Sequence, residues 1–230
     1  MTIQQRLRQL AEKQGLADMG FFRTDHPGSG GLGYGITLVA RLSDAVVDEI
    51  TDRPTHSYFH HYRTVNAYLD RCMLETGLLL QQQGWRYIPV GASQSIPTAE
   101  DPHGFHGRFP HKQGACLAAL GVMGTNGLFL HRQYGPRVRL GTVFTDCPLV
   151  EENPQPLENR VCEKCGRCVS ACPANAIKGG VYQRGMPEFS LIDPQACSQY
   201  MKQAFQKIGR GAVCGICMKV CPYTGEKAVP

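Results

Sequence analysis

The sequence has no apolar run long enough to span a bilayer, and its first residues lack the basic region and apolar stretch of a secretion signal. We therefore expect a cytoplasmic protein with no membrane association. Disulfides are rare in a reducing cytoplasm, so the 11 cysteines are not expected to form a disulfide framework. Another chemistry must account for their number.

Disorder is excluded by an ordinary balance of 42% apolar and 19% charged residues. A chain of 230 residues can hold one good-sized core plus a smaller unit. There is no internal repeat except one formed by cysteines, and it is the most informative feature of the chain.

Two cysteine motifs end in Cys-Pro and have the thiolate spacing that holds cubane iron–sulfur clusters in bacterial ferredoxins. They are Cys162-x2-Cys165-x2-Cys168-x3-Cys172-Pro173 and Cys214-x2-Cys217-x3-Cys221-Pro222. In two-cluster ferredoxins the cysteine before the proline binds the other cluster. This crossover predicts that the first cluster is held by Cys162, Cys165, Cys168 and Cys221.

The second cluster would have Cys172, Cys214 and Cys217, and it is one ligand short because Gly211 stands where a full motif has cysteine. Cys197 is the nearby candidate for the fourth ligand. Two alternatives stay open: a cluster with an open iron, and structural zinc bound by the paired cysteines. The three cysteines outside these sets, Cys72, Cys116 and Cys147, lie among apolar neighbours and are expected to be buried.

The net charge of +5 comes entirely from the cysteine-rich segment. Residues 161–230 carry nine basic and four acidic side chains, whereas residues 1–160 carry 15 of each. Because two cubanes with their thiolates bring a charge of about −4, we expect the basic residues largely to neutralise the clusters. The net charge therefore gives no support for a nucleic-acid partner.

Local patterns predict the elements before the clusters. A capping box at Thr2 and Gln5 predicts an opening helix, and Ser43 is placed to cap a short one. Helical spacing of apolar residues predicts a long helix from about residue 57 to 83. Strands are expected at 19–22, 36–40 and 85–90, and residues 127–131 with 138–145 are expected to form a hairpin.

Two loops carry residues that suggest binding. Gly28, Gly30 and Gly33 spell G-x-G-x-x-G, but a strand-like run follows where a dinucleotide loop needs a helix, so the match is interpreted as accidental. The loop from 91 to 111 holds three histidines, which are expected to lie at the surface or line a pocket: His103, His106 and His111. Ser93 and Gln94 are placed either to bind a ligand or to cap the loop.

With these elements in order, the chain resembles the epoxyqueuosine reductase family, whose core is shared with the reductive dehalogenases. The resemblance is carried by the opening helix and strand, by Gly121-x-x-Gly124-x-Asn126-x-Leu128, and by the cluster segment with its isolated Cys197. It implies an α+β fold: a nitroreductase-like mixed sheet with helices, followed by a bacterial dicluster ferredoxin-like domain. The expected division is a cobalamin-binding or substrate-binding domain at 1–150 and a double [4Fe-4S] domain at 151–230.

The chain departs from the family pattern at three points. Residues 89–94 replace a motif whose Asp is thought to donate a proton, so no catalytic residue is assigned. Met123 and Thr125 stand where Trp and Lys are typical. The helical repeats that bind tRNA in longer members are absent, so tRNA chemistry is not expected.

The resemblance implies an oxidoreductase that passes electrons through two [4Fe-4S] clusters to cobalamin, with FMN as a less favoured alternative. Its partners would be an electron donor such as ferredoxin or flavodoxin and a small-molecule or corrinoid substrate, not a nucleic acid. A competing hypothesis is an electron carrier or reductive activator whose N-terminal domain docks a partner protein.

Overall fold

The structure is a computed structural model that describes residues 1–149, 157–187, 189–211 and 213–223. Its elements follow in the order α1 (Ile3–Lys13), β1 (Asp18–Arg23), β2 (Tyr34–Arg41), α2 (Asp44–Asp48), α3 (His56–Gln82), β3 (Tyr87–Val90), α4 (His111–Leu117), β4 (Gly121–Met123), β5 (Phe129–His131), β6 (Val138–Thr145), α5 (Arg167–Ser170), α6 (Pro194–Gly209) and α7 (Ile216–Lys219). Within these residues no helix is both long and apolar enough to cross a membrane.

Two compact, interleaved units make up the chain. Among the described residues, the sheet unit comprises 1–41, 65–120 and 139–149, and the cluster unit comprises 42–64, 121–138 and 157–223. The two compact units therefore do not coincide with a division of the chain into residues 1–150 and 151–230. Two segments that precede the cysteine motifs in the sequence, 42–64 and 121–138, belong to the same unit as those motifs.

The sheet unit is built on four strands in the order β1-β2-β6-β3. Strands β1 and β2 pair antiparallel, and so do β3 and β6. The interior of β2 is buried at every residue between its two ends, as expected for a strand covered on both faces. Leu7 of α1 and Leu69 and Met73 of α3 belong to the same core as Leu38 of β2. The expected α+β class is confirmed.

Elements with a strong local signal form as predicted. The Thr2 hydroxyl accepts a hydrogen bond from the Gln5 backbone N–H, and the Gln5 side chain accepts one from the Thr2 backbone, which completes the capping box of α1. The Ser43 hydroxyl accepts from the Val46 backbone N–H at the start of α2. The long helix and the three predicted strands also form, with bounds shifted by one or two residues.

The predicted hairpin of residues 127–131 with 138–145 is wrong. Strand β5 pairs with β4, and β6 lies between β2 and β3 in the other sheet. The turn signal is real but short: His131 and Gly135 exchange backbone hydrogen bonds of 2.8 and 2.9 Å, and the pairing stops there. A turn sequence fixes the local reversal, whereas the strand partner depends on burial elsewhere in the chain.

The cysteines outside the two motifs differ in burial. Cys72 and Cys147 lie in the core of the sheet unit, as predicted, each 1% exposed. Cys116 in α4 is only partly buried, so the expectation of full burial is wrong for it. The domain boundary expected between residues 150 and 151 falls within 150–156, which lie outside the described residues.

Candidate iron–sulfur site

The two cysteine motifs share one backbone design. Gly166 and Gly215 follow the cysteines at equivalent positions and adopt left-handed φ values of 64° and 83°. A four-residue helix, α5 or α7, begins directly after each glycine. The turn brings the preceding cysteine round to the side of the next one, and only glycine takes this conformation without strain.

The last cysteine of the second motif lies beside the first motif. The pKa of Cys221 is raised to about 11, mainly by burial and then by the neighbouring thiols of Cys162, Cys168 and Cys165. The structure thus brings together the four residues predicted for the first cluster.

The other four predicted ligands are also neighbours. The pKa of Cys197 is raised to about 11 by burial and then by the nearby thiols of Cys214 and Cys172. Burial raises the pKa of Cys217, and Cys214, Cys197, Cys168 and Cys172 add to the effect. Since Cys168 belongs to the first set, the two sets adjoin each other.

Cys197 reaches its set from the first turn of α6. Asp193 caps this helix by accepting a hydrogen bond of 3.0 Å from the Ala196 backbone N–H, and Pro194 occupies its first turn. Gly211, by contrast, has a φ of +72°, and a Cβ there would lie 2.6 Å from Lys202 Cγ and 3.0 Å from Lys202 Cα. A cysteine does not fit at position 211, which is consistent with the prediction that the fourth ligand is Cys197.

These donors fit cubane clusters by their chemistry. Burial raises the pKa of the Cys197, Cys217 and Cys221 thiols, so these thiols stay protonated until a cationic core binds them, and iron then deprotonates them. Among the described residues, no three Cys, His, Asp or Glu side chains converge closely enough to hold a single metal ion. A [4Fe-4S] cluster instead binds each thiolate through a separate iron atom.

The turn between β4 and β5 holds the cluster motifs in place. Asn126, 3% exposed, donates a hydrogen bond of 3.3 Å from Nδ2 to the Cys217 carbonyl, and its Oδ1 accepts one of 3.1 Å from the Leu128 N–H. Thr125 Oγ1 donates to the Gly180 carbonyl at 2.5 Å. The turn therefore contacts the backbone of a predicted ligand directly.

Asn159 makes the corresponding link to the first motif. Its Nδ2 donates to the Met123 carbonyl at 2.7 Å, and its Oδ1 accepts from the Cys162 N–H at 3.2 Å. Sequence reasoning missed this residue, although Asn three residues before a cysteine has the spacing of a side chain that caps a turn. Met123 and Thr125, the two departures in the glycine motif, both take part in these contacts.

An ion-pair network lies beside the second motif. Asp48 of α2 binds Lys219 of α7 at 2.6 Å and Arg137 at 2.9 Å, and Arg137 also binds Asp44 at 3.0 Å. The pKa of Asp48 is lowered to about 2, first by the hydrogen bond from Lys219 and then by the one from Arg137. Lys219 lies between Cys217 and Cys221 in the sequence, so the network holds α7, the helix that contains Cys217.

The basic residues of the cluster segment lie mainly at the surface. Lys219 is half-buried, whereas the others between 161 and 223 are exposed: Lys164, Arg167, Lys178, Arg184, Lys202, Lys207 and Arg210. Because these side chains are exposed, their positive charge contributes to the electrostatic potential at the protein surface as well as at the predicted clusters.

The histidine loop is occupied by contacts within the sheet unit. His111 lies 2.8 Å from Thr142 Oγ1 and 3.0 Å from the Gly91 carbonyl, and His106 lies 2.8 Å from Asp101. Gln94 accepts a hydrogen bond of 3.0 Å from the Arg108 N–H, so it caps the loop. His103 contacts the Phe105 ring.

The glycines at 28, 30 and 33 do not form a phosphate-binding loop. A short 3-10 turn, Pro27–Ser29, is followed by β2 and not by a helix. A Cβ on Gly28 would lie 2.2 Å from the Arg108 carbonyl oxygen, which explains this glycine by packing.

Two open clefts in the sheet unit have the size of small-molecule sites. One of about 540 Å³ is lined by Gly30, Leu32, Gln81 and residues 84–88, and one of about 410 Å³ lies between α1 and α3. A whole corrinoid is larger than either cleft. The clefts therefore do not by themselves identify a corrinoid site.

Comparison with known proteins shows which families this chain resembles. Residues 161–224 match the model of the 4Fe-4S double cluster binding domain. A tetrachloroethene reductive dehalogenase from Sulfurospirillum multivorans is 29% identical over 170 residues, which are 70% of this chain and 30% of that protein. An epoxyqueuosine reductase from Cyclobacterium marinum is 33% identical over 122 residues, which are 49% of this chain and 36% of that protein.

The chain is similar in sequence to epoxyqueuosine reductases and to reductive dehalogenases. The resemblance inferred from the sequence is thus confirmed, and the cluster segment is a double [4Fe-4S] domain. A solved reductive dehalogenase, reported as suggesting a mechanism for B12-dependent dehalogenation, has the same fold, with a TM-score of 0.74 and 18% identity. It matches 97% of this chain and 32% of that one, and the chain spans about a third of the two curated relatives.

Proposed function

We propose that this chain is the electron-transfer core of a reductase, in which two [4Fe-4S] clusters pass electrons to an acceptor bound within residues 1–150. Residues 151–230 are the cluster domain in this proposal. The observation that carries it is the grouping of eight cysteines into two adjoining sets of four. An electron-transfer unit of this kind serves a reaction elsewhere in the chain, and the sheet unit is larger than a ferredoxin needs.

The ligand assignment follows the two sets. The first cluster takes Cys162, Cys165, Cys168 and Cys221, and the second takes Cys172, Cys197, Cys214 and Cys217. Each cluster would then exchange one ligand with the other motif, which couples the two clusters mechanically as well as electronically.

The proposed acceptor is a corrinoid or a small organic substrate reduced with its help. Support comes from the shared fold with a reductive dehalogenase whose structure suggests a mechanism for B12-dependent dehalogenation. A bound corrinoid would supply a strongly reducing cobalt centre. The protein would hold the corrinoid beside the substrate and keep out competing reactions. The clefts of the sheet unit are too small to argue for it independently, so binding must be measured.

Corrinoid uptake tests this acceptor. Protein purified without oxygen is mixed with each of several corrinoids and freed of excess, and the visible spectrum is recorded. Uptake with a shifted spectrum is expected. No uptake of any corrinoid would reject it, and flavin absorbance remaining after the clusters are removed would point to FMN instead. Reducing activity that appears only with a partner protein would favour an electron carrier or reductive activator.

The ligand assignment is tested by a pair of substitutions. Cys197→Ala should convert the second cluster to a three-iron form or lose it, which lowers the iron content from about eight atoms per chain. Adding Gly211→Cys restores the ferredoxin spacing in the sequence but should not restore the iron, because position 211 has a positive φ and no room for a Cβ. Iron analysis and electron paramagnetic resonance provide the measurement.

Unchanged iron in Cys197→Ala would show that this residue is not a ligand. Full recovery in the double variant would show that Gly211 lies elsewhere than the structure has it. Cys147→Ala is the matched control, since this buried cysteine belongs to neither set.

A further inference from the structure

The two motifs form an internal comparison, since each position in one has a counterpart in the other. Cys165, Gly166 and Cys168 correspond to Cys214, Gly215 and Cys217 by spacing, by the positive φ of the glycines, and by the short helix that follows. A difference in side chain or exposure between two equivalent positions therefore distinguishes the surroundings of one predicted cluster from those of the other.

The turn around Gly166, called the first turn, and the turn around Gly215, called the second turn, differ in their surroundings. Lys164 and Arg167 are exposed, and their counterparts Val213 and Ile216 are 3% and 5% exposed. Cys165 is itself exposed, whereas Cys214 is half-buried. The first turn faces solvent with charged residues, and the second is packed with apolar ones.

The second turn is covered by the cluster unit itself. A Cβ on Gly215 would lie 2.7 Å from Ile50 Cδ1 and 2.9 Å from the Tyr58 ring. Ile50 and Tyr58 thus cover the second turn at Gly215, whereas the first turn has no such cover at Gly166. Because electron transfer slows steeply with distance, a protein donor gains most by approaching the exposed first turn.

The charge of the side chains at the first turn bears on which electron-donor protein can bind there. Among the described residues, Lys164 and Arg167 form no ion pair, whereas Arg160 is held by Glu158 at 2.8 Å. Glu163 is the one acidic side chain within the turn, and it is exposed. The two unpaired cations flank Cys165 in the sequence and give the first turn a local positive charge.

We propose that residues 163–167 are the docking surface for an acidic one-electron carrier protein, with Lys164 and Arg167 binding its carboxylates. One electron passes from the carrier's reduced iron–sulfur or flavin centre to the first cluster, which goes from the 2+ to the 1+ state as the carrier is oxidised by one electron. The inference rests on the proposed function, because it requires the first cluster at Cys165. It assigns the entry point of the electrons to the first cluster and not to the second.

Anaerobic stopped-flow kinetics test this surface, with a reduced acidic bacterial ferredoxin as the probe. The Lys164→Glu/Arg167→Glu variant should lower the second-order rate constant at least tenfold at low ionic strength, with a smaller difference at high salt, where charges are screened. Lys202→Glu/Lys207→Glu on α6 is the matched control, because it makes the same change of charge at two other exposed lysines. Photoreduction by a deazaflavin should be equal in all three proteins.

A second variant separates charge from folding. Lys164→Val/Arg167→Ile gives the first turn the side chains of the second, and it should also slow the ferredoxin reaction while leaving the cluster spectrum intact. Normal clusters with unchanged rates, or an equal loss of rate in the α6 control, would overturn the docking surface. Missing iron in the parent protein would instead reject the proposed function.

Discussion

Asn126 offers the sharpest quantitative prediction, because one buried side chain serves two backbone groups. Its amide nitrogen donates to the Cys217 carbonyl at 3.3 Å, and its oxygen accepts from the Leu128 N–H at 3.1 Å. Asn126→Ala removes both partners. It leaves the carbonyl of a predicted ligand and one N–H of the turn without these partners, both in part-buried surroundings.

The expected loss follows from these two groups. A buried backbone group left without a partner costs about 1–3 kcal/mol, and the longer bond to Cys217 is the weaker of the two. The free energy of unfolding should therefore fall by about 2–4 kcal/mol. With a urea dependence of about 2 kcal/mol per molar, the unfolding midpoint should fall by about 1–2 M.

Anaerobic urea unfolding, followed by the visible absorbance of the clusters and by circular dichroism, measures this loss. Gln199→Ala on the exposed side of α6 is the control and should change the free energy by less than about 0.5 kcal/mol. If Asn126→Ala is no more destabilising than Gln199→Ala, the hydrogen bond to Cys217 and the proposed role of the turn are both refuted.

Two further predictions concern charge and packing. The pKa of Asp48 is lowered to about 2, first by Lys219, so its ion pairs stabilise the fold above about pH 4 and the effect is lost as the pH falls towards 2. Asp48→Asn should lower the melting temperature at pH 7, and its difference from the parent should shrink below pH 4; a difference independent of pH would contradict this. Gly77→Ala places a Cβ 2.0 Å from the Tyr87 ring, and the overpacking of about 1–3 kcal/mol should outweigh the helical gain of about 1 kcal/mol. Gly33→Ala meets nothing within 4 Å and should be nearly neutral in the same urea experiment, so equal effects at the two glycines would refute the packing argument.

Features encoded by neighbouring residues were predictable from the sequence. The capping box of α1 and the Ser43 cap of α2 depend on residues three positions apart, and both form. The two-cluster segment was also foreseen, because the spacing of the cysteines is typical of cubane ligands, and the match to the double cluster binding domain confirms it. The assignment of Cys197 as the fourth ligand came from counting cysteines and stays a prediction, to which the structure adds the close packing at Gly211.

Features that depend on distant contacts were not predictable. The partner of β5 was predicted wrongly because the short strand β4 was not predicted at all, which left β6 as the only neighbouring strand in the prediction. The contacts of Asn126 and Asn159 join segments tens of residues apart, so no local pattern reports them. The shielding of the second turn by Ile50 has the same origin.

The interleaving of the two units has a consequence for modularity. A ferredoxin-like segment is usually thought of as a cassette that can be cut out of one protein and inserted into another. Here the segment from residue 157 onward relies on α2 for the carboxylate that binds Lys219, and on the β4–β5 turn for the amide that binds Cys217. A cut before residue 157 would separate the cassette from both. We therefore expect the cluster segment to need the surrounding chain. Transfer of the residues from 157 onward to another protein would not give a complete electron-transfer module.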